Sequence, residues 1–309
     1  MNLLKEKIVL VTGAGRGFGK YMSLAYAREG ATVLAASRTI SELTKLKESI
    51  EEKGGKCVIL TADLLDFKKI VGLRDYVINQ FGRLDTLVNC AADNLWKLFE
   101  ETSIEEWDKS ISINLRAPFI LSKLFLPLMK KQGKGSIINI SSGSATRGFI
   151  AETAYCPSKY GVEGLTQCLA MELYQYNIAV NSLSPSAPFG KILKPSRLTL
   201  QDEARVPDEL RAKYADDESI VEAFSEAWSF LALQEARGVT GQRFVTKQLA
   251  DYIKTNGWEA TVAYWGNKLT KAVYVPYDLP EKVNYDTMLK DKVGDAGQKT
   301  YYFRVKEKY

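Results

Sequence analysis

The 309-residue sequence predicts an α/β chain, a doubly wound parallel sheet with helices on both faces in a three-layer α/β/α sandwich. Three observations carry that expectation. Short apolar, β-branched runs alternate with amphipathic helical runs across residues 1–190. A glycine string follows the first of these runs directly. The polar residues able to do chemistry recur where strand-like runs end, which in such a sheet is the edge where ligands bind.

Lys7–Thr12 (KIVLVT) reads as a buried strand running into Gly13-Ala-Gly-Arg-Gly-Phe-Gly19 and a helix over Lys20–Glu29 stopped by Gly30. Ala31–Ala36 is the second strand, and Ser41–Lys53 a charged amphipathic helix closed by Gly54-Gly55. Cys57–Thr61, the helix Asp66–Phe81 and the strand Leu84–Asn89 continue the alternation. A long helix over Ser103–Lys131, the strand Ser136–Ile140, a helix from Thr153 to about Tyr176 and the strand Ile178–Leu183 complete it. Domain boundaries follow: 1–246 as one α/β domain with a polar, helical lid at about 190–232, and 247–309 as an aromatic-rich C-terminal extension. So many aromatic residues argue for an extension packed on the body or a neighbouring subunit rather than a free tail.

Composition narrows the chemistry. The chain has 42 basic and 37 acidic residues, a net charge of +5 with no basic block, so nucleic acid is not an expected partner. No 18-residue apolar run or leader is visible, so neither a membrane nor export is expected and a cytoplasmic protein is. The four cysteines lack CxxC spacing and read as reduced thiols. There is no histidine, which removes Ser-His-Asp hydrolysis, His-ligated zinc and His general bases. No metal site is expected.

A strand followed by Thr12-Gly13-x-x-x-Gly17-x-Gly19 and a helix is the setting in which a pyrophosphate rests on a helix N-terminus. Gly13 permits the turn, Gly17 lets the phosphate approach the backbone, and Gly19 lets helix and strand pack. At the end of the second strand stands Ser37, followed by Arg38, where a carboxylate would hold a ribose 2′-hydroxyl. With Arg16 in the loop, two guanidiniums and no carboxylate suit a 2′-phosphate, hence NADP(H) rather than NAD(H).

The second constellation is Ser142 just past a strand, with Tyr155 and Lys159 at i and i+4 on one helix face. A phenol with a pKa of about 10 becomes a usable acid/base when a nearby ammonium lowers it.

Jointly, Thr12-Gly13-x3-Gly17-x-Gly19, Asp63, Asn89-Cys90-Ala91-Ala92, Asn114, Ser142, Tyr155-x3-Lys159 and Asn181-x-Leu183-x-Pro185 resemble the short-chain dehydrogenase/reductase superfamily, in its non-extended branch, over residues 5–246. The resemblance implies a Rossmann-type fold, a small carbonyl or alcohol substrate and a homo-oligomer, dimer or tetramer. It implies a catalytic set of Asn114, Ser142, Tyr155 and Lys159. Tyr155 would protonate the carbonyl oxygen, Lys159 would bind the nicotinamide ribose and lower the Tyr155 pKa, and Ser142 would polarise the substrate oxygen. Asn114 would kink its helix and hold a relay water; a buried polar residue satisfied by backbone is the other reading of that position. Gly13, Phe18, Asp63, Leu64, Asn89, Ala91 and Pro185 join the expected cofactor contacts. After Pro185 the usual Gly and a later Thr are missing. Two readings from other classes stay open: a silent dinucleotide-binding scaffold, and a lyase or isomerase using the same Tyr-Lys pair.

Overall fold

The computed structural model describes residues 2–185, 219–266 and 268–270, together with the backbone of two short strands at 192–193 and 214–215. Seven parallel strands form one sheet, built from β1 (Ile8–Thr12), β2 (Thr32–Ser37), β3 (Lys56–Thr61), β4 (Thr86–Asn89), β5 (Gly135–Ile140), β6 (Ile178–Ser184) and β9 (Arg243–Val245). Their order is β3-β2-β1-β4-β5-β6-β9, so the winding reverses between β1 and β4. The short strands β7 (Ile192–Leu193) and β8 (Tyr214–Ala215) pair with each other in parallel.

Alternation along each strand divides the core in two. Val9 and Val11 of β1 and Val33 and Ala35 of β2 face the side that carries α1 (Gly17–Arg28) and α2 (Ile40–Glu51). Leu10, Leu34, Leu87, Ile137 and Val180 face the other side, against α3 (Phe67–Phe81), α5 (Ala117–Gln132) and α6 (Tyr155–Leu173). Because successive strand side chains point to opposite faces, apolar residues at nearly every position require helices on both.

The expected elements are present, with instructive differences. Helix α1 starts at Gly17, inside the glycine string, because the first turn asks nothing of its side chains. The expected single helix over 103–131 is α4 (Ile104–Ile111), a π-turn at Ser112–Arg116, and α5. Its start follows a capping box: Ser103 accepts from the Glu106 N–H while the Glu106 carboxylate accepts from the Ser103 N–H. This run of 29 residues, Ile104–Gln132, is long and apolar enough to cross a bilayer, which corrects the expectation that no such run is present; half of its most apolar stretch is buried inside the body.

The last third of the expected lid is core. Residues 219–232 form α7, whose Ile220, Phe224, Ala227, Trp228, Phe230 and Leu231 are buried. Trp228 meets Phe18 of α1 edge-on, with ring centroids 5.2 Å apart. The remainder of the lid expectation, 190–218, lies outside the described residues apart from the β7–β8 backbone. Arg243–Val245 adds the last strand, pairing in parallel with β6. Helix α8 (Thr246–Trp265) opens the C-terminal extension and packs on the body, Trp258 against Phe230 and Trp265 against Phe244. Residues 271–309 lie outside the described part.

Candidate active site

A groove opens at the carboxyl ends of the strands, over the point where the winding reverses. Its floor is the glycine loop. Gly13 has φ +66°, and a Cβ there would lie 2.7 Å from the Ala91 Cα; one on Gly19 would lie 2.4 Å from the Gly13 carbonyl oxygen. These two positions admit no side chain, which lets β1, α1 and the loop after β4 close together. Helix α1 has no side-chain cap at Arg16 and no acid in its first turn, so its N-terminal N–H groups and positive dipole end face the groove uncompensated. That donor set fits a pyrophosphate.

The sequence-predicted cofactor residues gather here with one exception. Gly13, Arg16, Gly17, Phe18, Gly19, Ser37, Arg38, Asp63, Leu64, Ala91, Tyr155, Lys159 and Pro185 all line the groove. Asn89 lies behind it: its Nδ2 donates to Asn139 Oδ1 at 2.8 Å, and its buried Oδ1 has no partner among the described residues. Thr12 supports the same loop. Its hydroxyl donates to the Val88 carbonyl at 3.2 Å and accepts from the N–H groups of Cys90 and Ala91 at 3.0 and 3.2 Å. Thr12→Val keeps the volume and strands these two N–H groups, so a loss of about 1–3 kcal/mol in urea-unfolding free energy is expected.

Tyr155 and Lys159 enter from the first turns of α6. The helix begins at Tyr155 rather than Thr153, and Pro157 sits in the first turn where no N–H is missed. Lys159 is 2% exposed, donates to the Ile140 carbonyl at 2.7 Å and stands 5.5 Å from the centroid of the Tyr155 ring. Burial lowers its pKa from 10.5 to about 8, partly offset by Cys90 and Glu163. Burial raises the Tyr155 phenol to about 12, against the lowering effect of a hydrogen bond with Ser142. The expected depression by Lys159 is therefore absent in this state: the ammonium is spent on a backbone carbonyl, and desolvation of the phenolate dominates.

Ser142 lies two residues past β5, outside the groove lining, and caps the following turn, its Oγ accepting from the Ser144 N–H at 3.1 Å. The loop is held from behind by a network that sequence reasoning missed. Arg243 on β9 donates to the Ser142 carbonyl at 3.0 Å, and its Nε stands 3.2 Å from Glu163 Oε1. Glu163 also accepts from the hydroxyls of Ser141 and Ser182, the latter at 2.6 Å. Glu163 is one turn beyond Lys159, so α6 carries both the Tyr155-Lys159 pair and its anchor. Also missed is Glu42, which lines the groove beside Arg16 and Ser37.

Asn114 sits in the π-turn, buried. Its Oδ1 accepts from the Asp93 N–H at 2.7 Å, and its Nδ2 contacts the Asp93 carbonyl, Ser110 Oγ and Ser158 Oγ at 2.9, 3.3 and 3.0 Å. The side chain thus ties the loop after β4 to α6. Pro118, four residues on, has no N–H to give to the Asn114 carbonyl, so that oxygen lacks its α-helical donor. No group of three or more metal-ligating side chains occurs among the described residues.

A parallel sheet whose switch point carries an uncapped, glycine-lined helix start, next to a half-buried tyrosine and a buried lysine, has the architecture of a dinucleotide-binding α/β protein. The family model described as short chain dehydrogenase matches residues 7–197. The 3-oxoacyl-(acyl-carrier-protein) reductase of Thermotoga maritima is 34% identical over 242 residues, covering 77% of this chain and 95% of that protein. A D-threitol dehydrogenase of Mycolicibacterium smegmatis is 33% identical over 183 residues, covering 59% and 70%. A metagenomic short-chain oxidoreductase solved in complex with NADP superposes with a TM-score of 0.64 at 26% identity, covering 79% of this chain and 97% of that one. The chain belongs to the short-chain dehydrogenase/reductase family, whose members are NAD(P)-dependent oxidoreductases acting on small molecules.

Proposed function

We propose that this chain is an NADP(H)-dependent carbonyl reductase and secondary-alcohol dehydrogenase in which Tyr155 is the acid/base. The observation that carries the reading is the Tyr155-Lys159 pair lining one end of the dinucleotide-type groove, with Lys159 Nζ 5.5 Å from the centroid of the phenol ring. The relatives support it by name, one reducing an oxo group, one dehydrogenating a polyol, and one holding NADP. Arg16 and Arg38 on the groove support NADP(H) over NAD(H).

Bound in the groove, the cofactor supplies or takes the hydride. The chain does the rest. The N-terminus of α1 and the glycine loop would hold the pyrophosphate, and Asp63 and Leu64 would contact the adenine. A phenol raised to about 12 is protonated at neutral pH, so Tyr155 is a donor in waiting for a carbonyl oxygen that gains charge. The Ser142 hydroxyl, which favours the ionised form of the same phenol, orients that oxygen. Lys159, lowered to about 8, is the more acidic of the pair, so it stabilises the phenolate as it forms and can return a proton to it. The Asn114 carbonyl, without its α-helical donor, is the atom that would hold a relay water. The reading takes the enzyme to be a cytoplasmic homo-oligomer, dimer or tetramer, with no nucleic-acid or membrane partner.

The test is NADPH and NADH oxidation by the full chain against aliphatic, aromatic, cyclic and steroidal ketones. Ketone-dependent NADPH oxidation supports the reading. Turnover with NADH alone would remove the argument from the two arginines.

A further inference from the structure

The basic end of the groove contains a carboxylate that this mechanism does not use. Glu42 stands in the first turn of α2 and lines the groove with Gly15, Arg16, Ser37 and Arg38. Its Oε1 lies 3.6 Å from Arg16 Nη1. Its side chain also covers the glycine loop: a Cβ placed on Gly15 would come within 2.9 Å of Glu42 Oε2 and 3.0 Å of Ser37 Oγ. A carboxylate, a hydroxyl and a guanidinium therefore meet past the end of β2, the place where the ribose 2′ substituent is read in this architecture.

The two cofactor forms meet this carboxylate differently. A 2′-phosphate brings negative charge beside it and competes with it for Arg16, whereas a 2′-hydroxyl can donate to it. The sequence places this acid neither at the end of β2 nor near the arginine in the chain; the first turn of α2 delivers it. The geometry points to Glu42 as the residue that sets the NADP(H)/NAD(H) ratio, an inference that rests on the dinucleotide reading above. Its carboxylate occupies Arg16 and offers an acceptor to NAD(H), so the wild-type chain discriminates between the two forms less than two arginines alone would dictate.

The test is fluorescence titration of the full chain with NADPH and with NADH, which needs no substrate. Glu42→Gln removes the charge and keeps the shape; Glu42→Ala removes both. Both variants are expected to tighten NADPH binding about tenfold and to weaken NADH binding a few-fold, so that the ratio of dissociation constants moves by more than tenfold. Raising salt should narrow the gap between wild type and variant for NADPH, since the repulsion is screened. An unchanged ratio, or equal shifts for both cofactors, overturns the role of Glu42 and leaves the dinucleotide reading intact. Wild type that binds neither cofactor overturns both.

Discussion

Replacing Tyr155 by Phe is expected to lower turnover by about 10²–10⁴-fold while NADPH affinity stays within about twofold. The substitution deletes one oxygen. The ring keeps its packing at the start of α6, and the groove keeps its glycine floor and its helix N-terminus, so the cofactor should not sense the change. What disappears is the hydroxyl proposed as the proton donor. Steady-state kinetics beside a fluorescence titration reads both quantities on one protein. Retained turnover would move the acid/base role away from Tyr155. The same pair of measurements separates the rival readings: a silent scaffold shows no wild-type turnover to lose, and a lyase or isomerase turns over without net NADPH oxidation.

What the sequence discloses about this site is what depends on local spacing. Tyr155 and Lys159 lie four residues apart on one helix, and the glycine string follows a strand directly, so a linear pattern holds the essential geometry. The sheet is readable for a similar reason, since β-branched runs bounded by glycine are a local signal. The residues that escape notice act across the fold. Glu163 and Arg243 meet only because α6 and β9 flank β6, and each alone is an ordinary charged residue. Glu42 reaches Arg16 only once α2 has folded back over the glycine loop. The π-turn does leave a trace, because Pro118 denies Asn114 its α-helical bond, yet a proline near a helix start usually signals nothing more. The helical pattern of α7 is legible, with Ile220, Phe224, Ala227, Trp228 and Leu231 at helical spacing, but the charged run before it hides that this face is core.

Lys159→Met should produce two effects of opposite sign, a loss of turnover of at least about 10²-fold and a gain in stability at neutral pH. The wild-type ammonium is buried, and desolvation lowers its pKa from 10.5 to about 8, which corresponds to about 3 kcal/mol of destabilisation wherever the lysine is charged in both states. Between pH 8 and 10 the unfolded chain binds more protons at this position than the folded one. The stability of the wild type should therefore rise with pH across that window. The Tyr155 contribution, with its folded pKa raised, has the opposite sign and belongs to the window from 10 to 12. Methionine keeps the stem and the volume but leaves the Ile140 carbonyl without its donor, at a cost of about 1–3 kcal/mol. The net gain at pH 7 is thus about 1 kcal/mol, and the rise between pH 8 and 10 should flatten. Urea unfolding of both proteins across that range measures it. A variant that keeps the wild-type slope would mean that Lys159 is not the group being desolvated. A flattened slope joined to lost turnover would show that the chain keeps a charge its fold disfavours, at the place where the proposed mechanism forms a phenolate.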